Sequence, residues 1–320
     1  MFHLVRNRTV FARSFLFLTL GVGLLLSLTA CNKKDQSTPA QAAPKTFAKP
    51  EDAGNALADA AKSQSQDEVL AVLGPGSADI VSSGDATEDK AAFAGFAKAY
   101  QVTNRWRKLS DTSNLLLVGA DNQAFPVPLT KNAAGQWYFD VPAGKKEILA
   151  RLIGRNEIAA IYICGALAQS QAQYFSQKHG GVKQYAQKFI SDAGQQNGLY
   201  WESGPGAPRS PIGPLVAYAS EEGITIKPDN AHPYYGYYFR RLENQGPDAK
   251  GGAKPYVDNE KMTGGFAYVA YPAKYDDSGI KTFMINQDGV VFEKDLGKDT
   301  ADVARTMTGF NPDNSWTALK

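Results

Sequence analysis

The pattern of apolar and polar positions divides the chain into a leader, a tether and a long folded region. Residues 15–30 form a nearly unbroken apolar run, and residues 32–46 contain no large apolar side chain. From Phe47 onward, apolar positions recur with helical or strand spacing, which is typical of packed structure. The apolar run is shorter than the roughly 20 residues of a membrane-spanning helix. It therefore predicts a signal segment over residues 1–30, followed by a flexible tether over residues 31–46.

Residues 47–142 predict a first α+β domain. Helical spacing of apolar residues predicts three helices, which begin near Pro50, at Asp67 and after Asp85. The period then changes to three strand-like runs, which cover residues 114–119, 125–129 and 136–141. Two prolines in the middle run would place it at an edge of the sheet, because proline donates no backbone hydrogen bond.

Residues 143–320 predict a second α+β domain that is entered by a long helix. This helix covers residues 143–178, has Ile158 among its apolar stripe, kinks or breaks at Gly154 and Asn156, and ends at a pair of glycines. Shorter helices are predicted for residues 182–190, 214–220 and 298–310. A hairpin turn joins the last two of four predicted strands, which cover residues 237–242, 266–271, 282–286 and 290–294. The predicted fold class is α+β, with two antiparallel-sheet domains joined by a long helix.

The predicted leader is followed directly by the first cysteine of the chain. Three arginines and no acid precede the apolar run, and the run ends in Leu28-Thr29-Ala30-Cys31. This ending resembles the lipobox of bacterial lipoproteins. The resemblance implies that the leader is removed, that Cys31 carries the lipid, and that the protein is anchored to a membrane of the cell envelope, facing the periplasm. By the same resemblance, Asn32 in place of aspartate favours the outer membrane over the inner.

Composition and charge narrow the classes of function. With 34 basic against 32 acidic residues the formal net charge is +2, so the chain lacks the electrostatic footprint of a nucleic-acid-binding protein. Two cysteines and three histidines, with no paired metal-ligand spacing, predict no metal site. No phosphate-binding loop or nucleophile motif gives a reason to expect a cofactor. Cys164, in the apolar part of the long helix, is expected to be a buried small side chain rather than a reactive thiol.

Several short phrases occur together here as they do in one bacterial family. They include Ile153-Gly154-Arg155-Asn156-Glu157, Gly198-Leu199-Tyr200-Trp201, Tyr235-Gly236-Tyr237-Tyr238 and the run from Val290 to Gly297. With these phrases the chain resembles the lipoprotein family catalogued as domain of unknown function 2950, over residues 47–317. That resemblance implies no particular activity.

The second half also resembles the globular heads of type IV pilins and pseudopilins. There, a long helix is followed by a Gly-Tyr-x-Phe strand and a terminal hairpin, which are matched here by Gly236 to Phe239 and by residues 279–290. In a pilin the apolar helix lies at the processed N-terminus, a position that the predicted leader occupies here. The resemblance therefore implies a pilin-like head fold and does not carry over polymerisation through such a helix.

A polar cluster on the long helix is the first candidate binding site. Arg155, Asn156 and Glu157 lie at the expected break, where Arg155 would bind an anion and its two neighbours would orient it. In the alternative interpretation, Asn156 and Glu157 cap the second helical segment, because such residues favour helix starts. Arg155 would then pair with a neighbouring carboxylate.

An aromatic run at residues 234–239 is the second candidate. Strand alternation would place Tyr234, Tyr238 and Arg240 on one face and the other aromatic residues on the opposite face. One face is expected to be core. The other would either be covered too, as in a plain two-sided strand, or stack on a sugar ring or a peptide, because tyrosine offers rigid area with a polar tip.

The sequence thus predicts a lipid-anchored cell-envelope protein that acts as a binding or assembly module, with an envelope protein or a glycan as its partner. The alternative is an enzyme, such as a hydrolase of envelope material with Arg155 and Glu157 near its site. A deep pocket lined by convergent carboxylates would favour the enzyme, whereas a flat aromatic face would favour the binding module.

Overall fold

The computed structural model describes residues 43–204, 206–216 and 232–319. Outside these ranges lie the predicted leader 1–30, the predicted lipidation site Cys31, the tether up to residue 42 and residues 217–220 of a predicted helix. The chain divides after Ile148 into two compact units, which are described separately. Within the described ranges, no helix has both the length and the apolar character needed to cross a membrane.

Four helices precede the sheet of the first unit. They are α1 (Pro50–Ser63), α2 (Gln66–Leu73), α3 (Ala78–Val81) and α4 (Ala86–Val102). Three of them confirm the predicted helices, and α3 is a single additional turn. The start of α4 follows the sequence signal, because the Asp85 side chain accepts hydrogen bonds from the backbone amides of Thr87 and Glu88.

An antiparallel sheet completes the first unit. Its strands are β1 (Asn104–Ser110), β2 (Ser113–Val118), β3 (Gln123–Ala124), β4 (Leu129–Lys131) and β5 (Trp137–Phe139). Their order is β1, β2, β4, β5, with β3 paired to β2. The sequence pattern does not predict β1. The expectation of an edge strand containing Pro126 and Pro128 is wrong, because both prolines precede β4 and β4 lies between β2 and β5.

The core of the first unit lies between its helices and one face of its sheet. Leu57 of α1, Phe96 of α4 and Leu116 of β2 are fully buried in one apolar cluster. The rings of Phe96 and Phe125 pack with 5.3 Å between their centroids. Burial of such side chains is the main stabilising contribution to a domain of this size.

The long helix α5 (Val141–Phe175) confirms the predicted long helix, and the second unit begins within it. The predicted break at Gly154 and Asn156 does not occur, since the helix is continuous through both residues. The physical reason is that the Asn156 side chain donates a hydrogen bond to the carbonyl of Ser278. It therefore does not compete for the backbone of its own helix, which is how asparagine usually ends one.

Twelve described strands follow α5 in the second unit. They are β6 (Lys178–His179), β7 (Val182–Lys183), β8 (Lys188–Ile190), β9 (Gly198–Tyr200), β10 (Tyr237–Leu242), β11 (Asn244–Gln245), β12 (Lys254–Pro255), β13 (Ala267–Pro272), β14 (Lys281–Asn286), β15 (Val291–Asp295), β16 (Gly309–Phe310) and β17 (Thr317–Ala318). The helical segments after β15 are a 3-10 turn (Gly297–Asp299) and α6 (Thr300–Thr306). The main sheet is antiparallel in the order β10, β13, β14, β15, β17. The four predicted strands are confirmed as β10, β13, β14 and β15, and so is the hairpin between the last two.

One predicted helix of the second unit is wrong, and another is shorter than predicted. The segment 182–190 contributes β7 and β8 instead, because Gly180 and Gly181 both take positive φ and turn the chain into a hairpin with β6. The predicted closing helix 298–310 is shortened to the 3-10 turn and α6, because the residues after α6 form β16 and pair with β11. In both cases pairing with another segment decides the structure.

The main sheet of the second unit is covered on both faces. On one face, Gln171 of α5 donates a hydrogen bond to the hydroxyl of Tyr268 on β13 over 2.5 Å. On the other face, Arg240 of β10 donates a hydrogen bond to the carbonyl of Ala304 in α6 over 2.6 Å. Every residue of β13 is buried, which is the pattern of a strand enclosed from both sides.

Candidate functional site

The predicted polar cluster on α5 holds a loop of the same unit. Asn156 is buried, and its Nδ2 atom donates a hydrogen bond to the carbonyl of Ser278 over 2.8 Å. The Oε1 atom of Glu157 accepts hydrogen bonds from the backbone amides of Ile280 and Lys281, each over 3.0 Å. Because α5 does not restart here, neither side chain caps a helix, and the predicted capping role is wrong.

Tyr237, the first residue of β10, contacts the same loop. Its hydroxyl donates a hydrogen bond to the carbonyl of Lys281 over 2.9 Å, and its side chain is completely buried. Burial, and to a smaller extent the negative charge of Glu157, raise the pKa of the Tyr237 hydroxyl. The hydroxyl therefore stays protonated and remains a donor. The structure thus brings together the two residue groups that the sequence singles out separately.

Two glycines allow the close approach between the loop and the helix. A Cβ atom at Gly279 would collide with the hydroxyl of Tyr237, and a Cβ atom at Gly236 would lie 2.7 Å from Asn156 Nδ2. The loop can approach the helix this closely because glycine has no side chain at either position. The helix anchor consists of Asn156, Glu157, Tyr237 and the backbone of residues 278–281.

The aromatic run enters the sheet through a tight turn. Tyr234 and Tyr237 exchange backbone hydrogen bonds of 2.7 and 3.0 Å, and the two residues between them have φ angles of 47° and 71°. Positive φ at both central positions is what a type I′ hairpin turn requires. Because the turn reverses the chain, strand alternation does not extend back to Tyr234, whose side chain is buried. Tyr234 is therefore not part of an exposed face.

Tyr238 and Arg240 share a face of the main sheet, as strand alternation predicts. Tyr238 is half-buried, and its ring centroid lies 5.6 Å from that of Tyr271. Arg240 donates hydrogen bonds from Nη2 to the carbonyls of Ala304 and Met307 at the end of α6. A cation is favourable at that end of a helix, and burial lowers the pKa of the Arg240 guanidinium. These contacts favour the plain two-sided strand over a recognition face.

A different side of α5 is exposed along two turns. Ile158 and Tyr162 have exposed fractions of 69% and 68%, and Arg155 is exposed one turn earlier. Residues three and four apart on a helix are neighbours on its surface, so these side chains form one continuous patch. Within the described ranges Arg155 forms no ion pair. The exposed stripe consists of Arg155, Ile158 and Tyr162.

The expectation that Ile158 belongs to the apolar stripe facing the core is wrong. The buried positions of this part of α5 include Ala160, Cys164 and Leu167, which recur at helical spacing. A helical projection aligned on Cys164 and Leu167 turns Ile158 and Tyr162 away from the core. The signal for the exposed stripe is therefore present in the sequence, but only once the buried positions are correctly chosen.

A family model matches nearly the whole described chain, over residues 44–319. It is the model described as a protein of unknown function, DUF2950. The chain belongs to the DUF2950 family. No curated protein and no solved structure matches it.

The DUF2950 protein has a cleft of about 320 Å³ beside the hairpin that joins β14 and β15. Its apolar lining includes Phe292 and Phe310, and its polar lining consists of Lys250, Asn286 and Asp288. Asp288 is the one carboxylate among these lining residues, and its backbone amide already donates to the Asn286 side chain over 3.0 Å. The residues that line this cleft therefore do not include the pair of carboxylates that most glycoside hydrolases use. None of the candidate residues from the sequence lines this cleft.

The described ranges contain no group of three or more histidine, cysteine, aspartate or glutamate side chains placed to hold a metal ion. His179 stacks on the ring of Tyr174, with 3.6 Å between the ring centroids. Cys164 is completely buried, as expected, and burial raises the pKa of its thiol to about 12. The thiolate is the reactive form of cysteine, so a thiol held neutral in the core is inert.

Proposed function

We propose that this DUF2950 protein is a lipid-anchored binding module of the bacterial cell envelope, and that the exposed stripe is the surface with which it binds a partner protein. The observation that supports this most strongly is the exposure of Ile158 and Tyr162 on adjacent turns of α5. Large apolar side chains that form a patch on the surface mark a contact site, because association removes that area from water.

The helix anchor supports the proposal because it preorganises the stripe. Asn156 and Glu157 lie between Arg155 and Ile158 in the sequence, and their hydrogen bonds to residues 278–281 fix the rotation of α5 about its axis. A partner therefore meets a surface whose backbone is already ordered. Preorganisation of this kind lowers the entropic cost of binding.

The side chains of the stripe favour a protein over a glycan. Tyr162 offers a rigid ring with a polar tip, and tyrosine and arginine are enriched among the residues that dominate interface energies. Ile158 offers apolar area and no hydrogen-bonding group for a sugar hydroxyl. Arg155 is free to form a charge-assisted hydrogen bond with a carboxylate. The partner we infer presents an apolar helix or strand face with an acidic side chain at its margin.

The geometry of α5 gives no support to the alternative of a hydrolase near Arg155 and Glu157. Glu157 faces the 278–281 loop and accepts two backbone amides through Oε1. Arg155 lies on the exposed side of the helix. An acid or base must reach the proton that it transfers in a bound substrate, and a carboxylate occupied by two amides of its own chain serves the fold instead.

The assembly part of the proposal rests on the resemblance to pilin heads, and the order of elements in the second unit supports that part. A long helix is followed by an antiparallel sheet, Gly236 leads into β10, and the sheet continues through the hairpin of β14 and β15. This is the order of elements that the resemblance implies. A module of this kind would join an envelope assembly through its helix side.

The anchor part of the proposal rests on Cys31, and we expect Cys31→Ser to abolish lipid attachment and leave the precursor largely uncleaved. The serine hydroxyl is a far weaker nucleophile than a thiol at neutral pH. Metabolic labelling with a fatty acid and mass spectrometry of the N-terminus measure both effects, and globomycin should make the wild-type precursor accumulate. Cys164→Ala is the matched control and should be labelled normally. An unmodified mature N-terminus at another position would refute the anchor.

If the exposed stripe binds the partner, Ile158→Ser combined with Tyr162→Ser should weaken partner capture by at least about 10-fold, because two central apolar contacts are lost. Stability should change by no more than about 0.5 kcal/mol per site, since both side chains are exposed. Affinity purification from crosslinked envelopes measures capture. Val303→Ser, which removes an exposed apolar side chain from α6, is the matched control and should capture normally. Equal capture by the double variant and wild type would refute the stripe as the binding surface.

A further inference from the structure

Strand β1 is the end strand of the first unit's sheet and is open to solvent over its whole length. It pairs only with β2 among the described strands, and every one of its residues except the half-buried Trp106 is exposed. Leu109 has an exposed fraction of 52%, and Val102, which ends α4 just before β1, has 59%. A long exposed edge usually needs a device that prevents pairing with other chains.

Three cations lie on this strand. Arg105 and Arg107 alternate with Trp106 and so point to the face of the sheet opposite its core. Within the described ranges neither arginine forms an ion pair, whereas Lys108 pairs with Asp111 over 2.5 Å. Two arginines without acidic partners therefore lie beside an exposed leucine. The basic edge consists of Arg105, Arg107 and Leu109.

We propose that the basic edge docks on the surface of an anionic phospholipid membrane. A guanidinium binds a phosphate group through two parallel hydrogen bonds, and an exposed leucine next to it can enter the boundary between headgroups and acyl chains. Each cation near an anionic membrane strengthens binding by roughly fivefold. The proposal rests on the lipid anchor of the proposed function, because the anchor makes the membrane the nearest anionic surface.

The lipid anchor also explains why two arginines are sufficient to hold the basic edge at the membrane surface. Residues 31–46 reach at most roughly 58 Å when fully extended, and the first folded residues of the first unit follow directly at Phe47. A tether of that length keeps the basic edge at a high effective concentration near the bilayer, so a weak contact is populated. The same contact would be negligible for a chain free in solution.

Strand addition by a peptide or by a second copy is the competing use of an open edge. A β-bulge at Leu109 shifts the pairing register between Lys108 and Ser110. Bulges and charged side chains both disfavour the addition of a further strand. Docking on a charged surface requires no backbone pairing, so the bulge does not hinder it.

The test uses the lipidated mature protein in vesicles and measures energy transfer from a dye on Ser110→Cys to an acceptor in the bilayer. Ser110 is exposed at the end of β1. Vesicles of phosphatidylcholine alone are compared with vesicles that also contain phosphatidylglycerol. We expect greater transfer with phosphatidylglycerol, and we expect the difference to vanish near 1 M salt, where the screening length is about 3 Å.

The variant Arg105→Gln with Arg107→Gln should abolish the phosphatidylglycerol-dependent transfer. Each of the two arginines strengthens membrane binding by roughly fivefold, and the variant loses both contributions. Lys90→Gln with Lys98→Gln removes the same charge from exposed positions of α4 and should leave transfer unchanged. Transfer that is independent of lipid charge, or equal loss in both variants, overturns the proposal. Dimerisation that depends on Arg105 and Arg107 would also overturn it, in favour of strand addition. Vesicle flotation separates these outcomes from loss of the lipid anchor, which would remove the protein from the vesicles altogether.

Discussion

Replacing Tyr237 with alanine is expected to lower the free energy of unfolding of the second unit by about 4 kcal/mol. The side chain is completely buried, and its ring centroid lies 5.8 Å from that of Phe283. Truncation leaves a cavity there and also deprives the Lys281 carbonyl of its donor. Scanning calorimetry of the purified chain measures the effect as a fall in transition temperature of several degrees or more.

Two companion variants separate packing from hydrogen bonding. Tyr237→Phe keeps the ring and removes only the hydroxyl, so it should cost about 1 kcal/mol. Tyr238→Ala removes a neighbouring tyrosine that is half-buried, so it should cost clearly less than Tyr237→Ala. Equal losses for Tyr237→Ala and Tyr238→Ala would contradict the difference in burial between the two faces of β10.

Cys164→Asp is expected to destabilise the second unit by more than about 3 kcal/mol, because it puts an unpaired carboxylate into the core. Cys164→Ala removes only a small apolar group and should cost about 1 kcal/mol. Chemical denaturation measures both. Should Cys164→Asp fail to fold, thiol labelling of the wild type still tests the burial, since a polar alkylating reagent should react with Cys164 only in denaturant. Rapid labelling of the folded chain would show that the thiol is accessible.

The raised pKa of the Cys164 thiol also makes the free energy of unfolding depend on pH. Burial raises the pKa of Cys164 from 9.0 to about 12, so the unfolded chain loses this proton first as the pH rises above 9. The thiol's contribution to stability is therefore complete below pH 9 and falls by about 1 kcal/mol at pH 10. Buried tyrosines add to the loss at higher pH. Cys164→Ala should lose less stability than wild type between pH 8 and 10, and an identical loss would contradict the assignment.

The elements that the sequence predicts well are those decided by neighbouring residues. Asp85 signals the start of α4 because its side chain caps the first turn. The alternation of large side chains in β10 and the Asp288-Gly289 turn after β14 are equally local, and the structure confirms both elements. In each case a few consecutive residues are sufficient to favour one backbone conformation.

The elements that the sequence does not predict depend on distant partners. Strand β1 carries three cations and no apolar alternation, and it becomes a strand because β2 pairs with it. Residues 182–190 read as a helix but form short strands, because β6 and β9 supply their hydrogen-bonding partners. Propensity is a weak guide where such pairing competes with it.

The candidate site also has a part that local sequence predicts and a part that depends on distant residues. Arg155, Asn156 and Glu157 attract attention in the sequence, but their roles depend on a loop more than 100 residues away. Only the folded chain places Ser278 opposite Asn156, and only then does Arg155 stand apart from its two neighbours on the helix surface. The exposed stripe follows from that rotation of α5, which local sequence does not specify.

The most direct test of the binding surface is photocrosslinking in living cells, with a photoreactive amino acid in place of Tyr162. The predicted result is a discrete adduct with one envelope protein, which disappears when Ile158→Ser is added and does not form from the same photoreactive residue at Val303. Val303 is likewise exposed and apolar, on α6, so it controls for chance collisions. The absence of any adduct from position 162, or the same adduct from position 303, would contradict the account.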